Sequence, residues 1–389
     1  MPDSPSVALV IDALSTFTGA ERVLAAVLEI YADAPIYTLA YDARGFVGRP
    51  IESHEVHTSW IQRLPWGSTR YRNYLPLLPM AVESLDLRGY DIVLSFSYAV
   101  AHGVLCRPDQ LHISYTFAPL RYAWQSAHDY FQRGLLGLVS SLIMHYMRLW
   151  DSGSVSRIDH FAAISRWTAD CIHRAYGRQA EVIYPPVDTG RFRPSSSRED
   201  YYVAFSRLVR HKRLELVVEA FSKLGLPLVV IGEGPERTRL ETLAGSNVRL
   251  VGWQSDEAAA SLMGRAKALV HAAEEDFGLV MAEAQAGGCP IIGYAGGAAR
   301  EIMIEGETGM LFQKQSVDSI MAAVRRGEER AAAFKPERAV ENAGRFGKPR
   351  FHRQFADMVQ REWRAFAARR AALQAEGPRD VPAARQQIN

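Results

Sequence analysis

The strongest constraint on the fold of this chain is an alternation that runs, stops and then starts again. After residue 200, the strings YYVAFSRL, PLVVIG, VRLVGW and ALVHAA are short apolar runs of strand character, and helical stretches 212–224, 235–244 and 256–266 lie between them. The first half has the same order: SVALVIDAL precedes the helical VLAAVLEIY, and DIVLSFS, HISYTF and HFAAIS follow. Short buried strands separated by helices predict parallel sheets flanked by helices. Between the two blocks, VIYPPVDTGRFRPSSSRED (182–200) brings Pro, Gly and Ser together and reads as a linker. The expectation is an α/β chain of two domains, 1–185 and 186–345, hinged near residue 190 with a ligand cleft between them. A late helix (346–372) and a polar, disordered tail (373–389) complete it.

Composition narrows the function classes. The 389 residues are enough for two cores, and 48% hydrophobic with 23% charged residues is ordinary for a soluble protein. A formal net charge of +2 predicts no field suited to nucleic acid. Cys106, Cys171 and Cys289 are widely spaced, which disfavours a metal site or a disulfide framework. The start, MPDSPSVALVIDAL, shows no basic leader or long apolar run, so a cytoplasmic setting is expected. GLLGLVSSLIMHYMRLW (134–150) is strongly apolar but short for a membrane span and interrupted by His145 and Arg148; it reads as a buried or interfacial helix.

Several common site motifs are missing. There is no Gly-x-Gly-x-x-Gly after the first strand, no Gly-Lys-Ser/Thr phosphate loop and no Gly-x-Ser-x-Gly elbow. One stretch does suggest chemistry: EEDFGLVMAEAQAGGCP (274–290) puts Glu275 at the C-terminal end of a strand, where open α/β sheets bind ligands, and Glu283 on the helix that follows. In FSRLVRHKRLELVVEAF, Arg207 and Lys212 flank a loop that opens a helix, which suits a diphosphate clamp. Gly296 and Gly297 form a turn at the end of another strand, where a missing Cβ allows close approach.

Together these pieces resemble glycosyltransferase family 4, the retaining, nucleotide-sugar-dependent enzymes of GT-B fold. YPPVD, EEDFGLVMAEAQAGGCPII and PLRYAW resemble its bacterial O-antigen and exopolysaccharide mannosyltransferase branch. The resemblance implies two Rossmann-like domains facing a cleft, with the last helix crossing back to the first domain. It implies that Glu275 accepts from donor-sugar hydroxyls beside the amides of Phe277, Gly278 and Leu279, and that Glu283 accepts from the ribose. Arg207 and Lys212 would neutralise the leaving diphosphate, an interaction that acts on the transition state. Gly19, in TGAER, would let the first-domain backbone approach the phosphate, and the backbone from Gly252 to Gln254 would read the base. The donor would be a GDP-sugar of mannose type, acting as substrate with no cofactor or metal. The acceptor would be a polyprenyl-diphosphate-linked or other lipid-linked glycan at the inner face of the cytoplasmic membrane.

Alternatives are a UDP-sugar transferase, a GT-B module that binds without turnover, and a GT-B epimerase. The departure from the family pattern is Phe117, in Phe-Ala-Pro, where relatives carry His-Thr-Pro. His102 and His112 are weaker stand-ins for that histidine. Finally, WIQRLPWGSTRYRNYLPLLPM (60–80) interleaves Trp60, Trp66, Tyr71 and Tyr74 with Arg63, Arg70 and Arg72, as suits an anionic membrane surface.

Overall fold

The structure, a computed structural model, describes residues 5–120, 124, 135–195 and 198–375. Arg121–Ala123 of PLRYAW and the chain beyond residue 375 lie outside the described residues. The first sheet has seven parallel strands: β1 (Val7–Ile11), β2 (Ile36–Thr38), β3 (Val56–Thr58), β4 (Ile92–Ser97), β5 (Leu111–Thr116), β6 (His160–Ala163) and β7 (Glu181–Val182). Their spatial order is 3-2-1-4-5-6-7. The second sheet has six: β8 (Tyr202–Phe205), β9 (Leu228–Ile231), β10 (Val248–Gly252), β11 (Leu269–His271), β12 (Ile291–Tyr294) and β13 (Gly309–Phe312), in the order 10-9-8-11-12-13. Both sheets reverse direction at their first strand, β1 or β8. Such a reversal opens a crevice at the C-terminal strand ends. The two-sheet α/β architecture read from the sequence is the one observed.

Among the described residues the helices of the first half include α1 (Gly19–Leu28), α2 (Gly67–Arg70), α3 (Leu78–Glu83), α4 (Leu135–Ser154) and α5 (Arg166–Tyr176). Those of the second half are α6 (Leu214–Leu224), α7 (Arg237–Leu243), α8 (Asp256–Arg265), α9 (Leu279–Ala286), α10 (Ala299–Ile302), α11 (Val317–Glu329), α12 (Pro336–Gly344) and α13 (Lys348–Ala375).

Local chemistry sets the helices that matter for the cleft. At the start of α1, the Glu21 carboxylate accepts from the Thr18 amide (2.9 Å) and hydroxyl (2.7 Å), closing the first turn. In α9, Met281, Ala282, Ala284 and Ala286 are all buried, and these mostly small residues let the helix sit inside the core rather than on it. It stops at Gly287-Gly288, ahead of Pro290.

Helix α13 returns to the first domain. Phe355 stacks on Phe96 (6.1 Å between centroids) and meets Tyr115 edge-on, and Lys348 pairs with Glu29, just past the end of α1. The helix runs on to Ala375, three residues into the stretch expected as tail; beyond Phe366, its last buried residue, the sequence AARRAALQA is made of strong helix formers. Segment 134–150 falls largely in α4. Its inner face is buried through Met144 and Met147, while Leu138, Leu142, Tyr146 and Leu149 face outward. Among the described residues no helix is long and apolar enough to cross a membrane.

Candidate functional site

The loop between β11 and α9 carries Glu275 into the cleft. Its Oε1 accepts from Lys212 Nζ at 2.6 Å and lies 3.0 Å from His271 Nε2. Burial pushes this carboxyl up, but Lys212 and His271 outweigh it and hold the group well below the usual carboxylate range. Glu275 is therefore an anion at neutral pH, fixed by a cation from the loop ahead of α6. The sequence reading placed Lys212 on a phosphate; its ammonium lies on Glu275. Arg207 lies on the same loop with its side chain exposed and, like Arg210 beside it, has no ion pair among the described residues.

Gly297 explains how the Glu275 loop is held. Its φ is +61°, and a Cβ there would lie 2.3 Å from the Glu275 carbonyl oxygen. Only glycine fits, and the Ala298 amide then donates to that carbonyl at 2.9 Å. The close approach expected here for a ligand is thus taken up by the protein's own backbone. Gly296 lies against the Tyr294 ring. Phe277 is buried beside Tyr184 and Phe346, so its ring anchors the loop. Among the described residues the amides of Phe277, Gly278 and Leu279 donate to no backbone carbonyl, which leaves three donors at the start of α9. Gly252 ends β10 and takes the Gly232 amide on its carbonyl (2.9 Å).

Glu283 sits in an ionic network that joins the two domains. It is only 7% exposed, and its Oε1 accepts from Arg22 Nη1 of α1 at 2.6 Å and from Arg191 Nη2 of the linker at 3.3 Å. Both guanidiniums also reach Asp256, at 3.4 and 2.8 Å. Burial pushes the Glu283 carboxyl up, and Arg22 and Arg191 pull it back. Oε1 of the carboxylate expected to receive ribose hydroxyls thus carries two guanidinium contacts. Beside this network a Cβ on Gly19 would meet Leu279 at 3.0 Å, so the close approach that glycine permits is between the two domains.

Phe117 follows β5, partly buried between Tyr98 and Tyr115. The Thr168 hydroxyl lies 3.3 Å from the Phe117 carbonyl and 3.5 Å from that of Asp276, so one side chain joins the Phe117 loop to the Glu275 loop. Ser165 donates to the Asp276 carbonyl at 2.5 Å, and Glu301 caps α5 by accepting from the Arg166 and Trp167 amides at 2.8 and 2.9 Å. His102 and His112 are not in the cleft. His112 is buried against Ser95 (2.9 Å) and the Arg157 carbonyl (3.1 Å), with its pKa pushed down to about 4 by burial. His102 is buried between Ser97 (2.9 Å) and Asp151 (3.1 Å).

Four site residues escaped the sequence reading. His271 has a usable signal, its i,i+4 spacing to Glu275. Arg22 lies inside the TGAER string, and Arg191 inside the linker. Asp12, at the end of β1, accepts from the amides of Tyr98, Ala99, Val100 and Ala101 (2.5–3.0 Å) and so fixes the wall beside Phe117.

Residues 189–345 match the family model described as glycosyl transferases group 1. The match falls on the second domain, and the whole chain has the two-domain fold of solved glycosyltransferases. Sucrose-phosphate synthase from Thermosynechococcus elongatus superposes with a TM-score of 0.74 at 18% identity, over 92% of this chain and 100% of that one. Anabaena HepE, solved with UDP and glucose, gives 0.68 at 18%, with the same two coverages. Among curated proteins, a GDP-mannose-dependent α-(1-6)-phosphatidylinositol monomannoside mannosyltransferase of Mycobacterium tuberculosis is 31% identical over 196 residues, 41% of this chain and 50% of that protein. A D-inositol 3-phosphate glycosyltransferase of Mycobacterium avium is 29% identical over 201 residues, 45% and 47% of the two chains. The chain thus spans about half the length of the curated relatives it matches.

Proposed function

We propose that the protein is a retaining glycosyltransferase that moves a mannose-type sugar from a GDP-sugar to a lipid-linked glycan, in O-antigen or exopolysaccharide synthesis. The observation that carries this reading is the Lys212–Glu275 pair at the strand ends of the group 1 domain, with Arg207 unpaired beside it. An anion held ionised next to three open amides suits sugar hydroxyls, and two cations on one loop suit a diphosphate. On donor binding, Lys212 turns from Glu275 toward the phosphate. The acceptor oxygen then bonds to the anomeric carbon, the bond from that carbon to the phosphate oxygen breaks, and the departing phosphate takes the acceptor's proton.

The GDP-mannose dependence of the mycobacterial relative supports the donor class. The test is a panel of GDP- and UDP-sugars offered in direct binding, then in hydrolysis without acceptor. Binding and slow release of GDP from GDP-mannose or a 6-deoxy relative are expected. A UDP-sugar bound in preference would overturn the donor class. Phe117 favours a second reading, a module that binds a nucleotide sugar without turnover, and tight binding with no hydrolysis or transfer would establish it.

A further inference from the structure

Helix α5 belongs to the first domain, yet its start is built against the second-domain loop that carries Glu275. Four amides open the helix, and all four are taken within the protein. Those of Arg166 and Trp167 donate to Glu301 (2.8 and 2.9 Å), that of Thr168 to the Ser165 hydroxyl (2.9 Å), and that of Ala169 to the Ser165 carbonyl (3.0 Å). The helix end therefore has no amide left for a ligand. What it presents to the Glu275 loop is a pair of buried hydroxyls, those of Ser165 and Thr168. Ser165 Oγ has one hydrogen and two acceptors in reach, the Asp276 carbonyl at 2.5 Å and Thr168 Oγ1 at 3.1 Å; the carbonyl is the nearer. Thr168 Oγ1 stands between two carbonyls, 3.3 Å from that of Phe117 and 3.5 Å from that of Asp276.

The Asp276 carbonyl is one half of a peptide whose other half is the Phe277 N–H. In a trans peptide the two point to opposite sides of the chain, and no cis bond occurs among the described residues. A carbonyl drawn toward α5 therefore turns the Phe277 amide away from α5. The preceding peptide is fixed in the same manner, because the Ala298 amide donates to the Glu275 carbonyl at 2.9 Å. The Phe277 ring, buried beside Tyr184 and Phe346, keeps the residue from rotating as a whole. The amide so aimed donates to no backbone carbonyl among the described residues and lies two residues along the chain from the Glu275 anion. We propose that Ser165 is a positioning residue of the donor site. From the first domain it sets the Asp276–Phe277 peptide so that the Phe277 amide meets the sugar end of a nucleotide sugar, and Thr168 supports it while tying in the Phe117 loop. This role rests on the nucleotide-sugar reading of the cleft and adds to it a residue from outside the group 1 domain.

The experiment is titration calorimetry on the full chain, giving the affinity for GDP-mannose relative to GDP and for UDP-glucose relative to UDP. Ser165→Gly removes the hydroxyl and Ser165→Thr keeps it, while Gly and Thr are about equal as N-caps, so the helix start is matched. For whichever pair wild type binds, Ser165→Gly should lower the ratio of nucleotide-sugar to nucleotide affinity about tenfold, the worth of one well-placed hydrogen bond. Affinity for the nucleotide alone should hold, and Ser165→Thr should restore the ratio. Thr168→Val leaves the cap in place and should lower the ratio about threefold; it decides the matter if Ser165→Gly does not fold. A ratio equal to wild type in these variants would overturn the positioning role. So would an equal loss of both affinities, which would mean general damage to the domain contact. Wild type that binds neither nucleotide sugar would instead overturn the donor reading itself, and the role with it.

Discussion

Arg22, on the first helix of the first domain, places Nη1 2.6 Å from Oε1 of Glu283, on the helix behind the Glu275 loop of the second domain. Burial pushes this carboxyl up, and two guanidiniums, neither from its own helix, pull it back. Domain pairing and the state of Glu283 are therefore one equilibrium.

Arg22→Ala should destabilise the chain by roughly 1–3 kcal/mol at pH 7, between the values for exposed and buried pairs. The sign of its pH dependence follows from the raised Glu283 pKa. Stability from that group is present below its ordinary value of 4.5 and is lost as pH rises through the folded value. The deficit should shrink as pH falls toward that range, where Glu283 takes up a proton. Urea melts of wild type and variant at pH 7 and pH 5 measure it; an equal deficit at both would contradict it.

Glu275 has the opposite sign. Its folded pKa lies below 4.5, so its stabilisation is present above that pH and fades as pH falls toward the folded value. Lys212→Ala and Glu275→Ala each leave a partner charge short of its counter-ion. Each should cost about 1–3 kcal/mol while remaining cooperatively folded. The double variant should cost less than the sum, and additivity in that double-mutant cycle would dissolve the pairing. Both single variants should lose about a hundredfold in turnover, since each removes charge complementarity at the reacting end of the donor.

The fold was legible because βα alternation is written in local periodicity, and the restart after residue 200 repeats it. The meeting of Glu275 with the loop that carries Arg207 and Lys212 was legible because both loops leave the C-terminal ends of neighbouring strands in an open sheet. What sequence could not show is how those groups pair with one another. Lys212 lies on Glu275, and Glu283 is held by Arg22, 261 residues away in the chain. No local pattern encodes so distant a partner. Gly297 was legible as a position where backbone comes close; that the approaching atom is the Glu275 carbonyl required the packed loop.

Phe117 bears on donor choice. Its ring offers apolar surface and no donor, so a sugar hydroxyl set against it loses about 1–3 kcal/mol. A methyl in the same place gains about 0.8 kcal/mol. With GDP-mannose and GDP-rhamnose competing at equal concentration, wild type should favour the 6-deoxy sugar, and Phe117→His should move the preference toward mannose. A mannose preference unmoved by the substitution would contradict this.

Arg207 offers the most direct test of a nucleotide-sugar site in this cleft, because its exposed side chain has no ion-pair partner among the described residues to strand when it is removed. The measurement is release of nucleoside diphosphate from the preferred sugar donor, by wild type and by Arg207→Ala, alongside their melting temperatures. The expected result is an unchanged melting temperature with release slowed about ten- to a hundredfold, the worth of one charge-assisted contact to the departing phosphate. Release by Arg207→Ala at the wild-type rate, or no release from any donor by wild type, would contradict it.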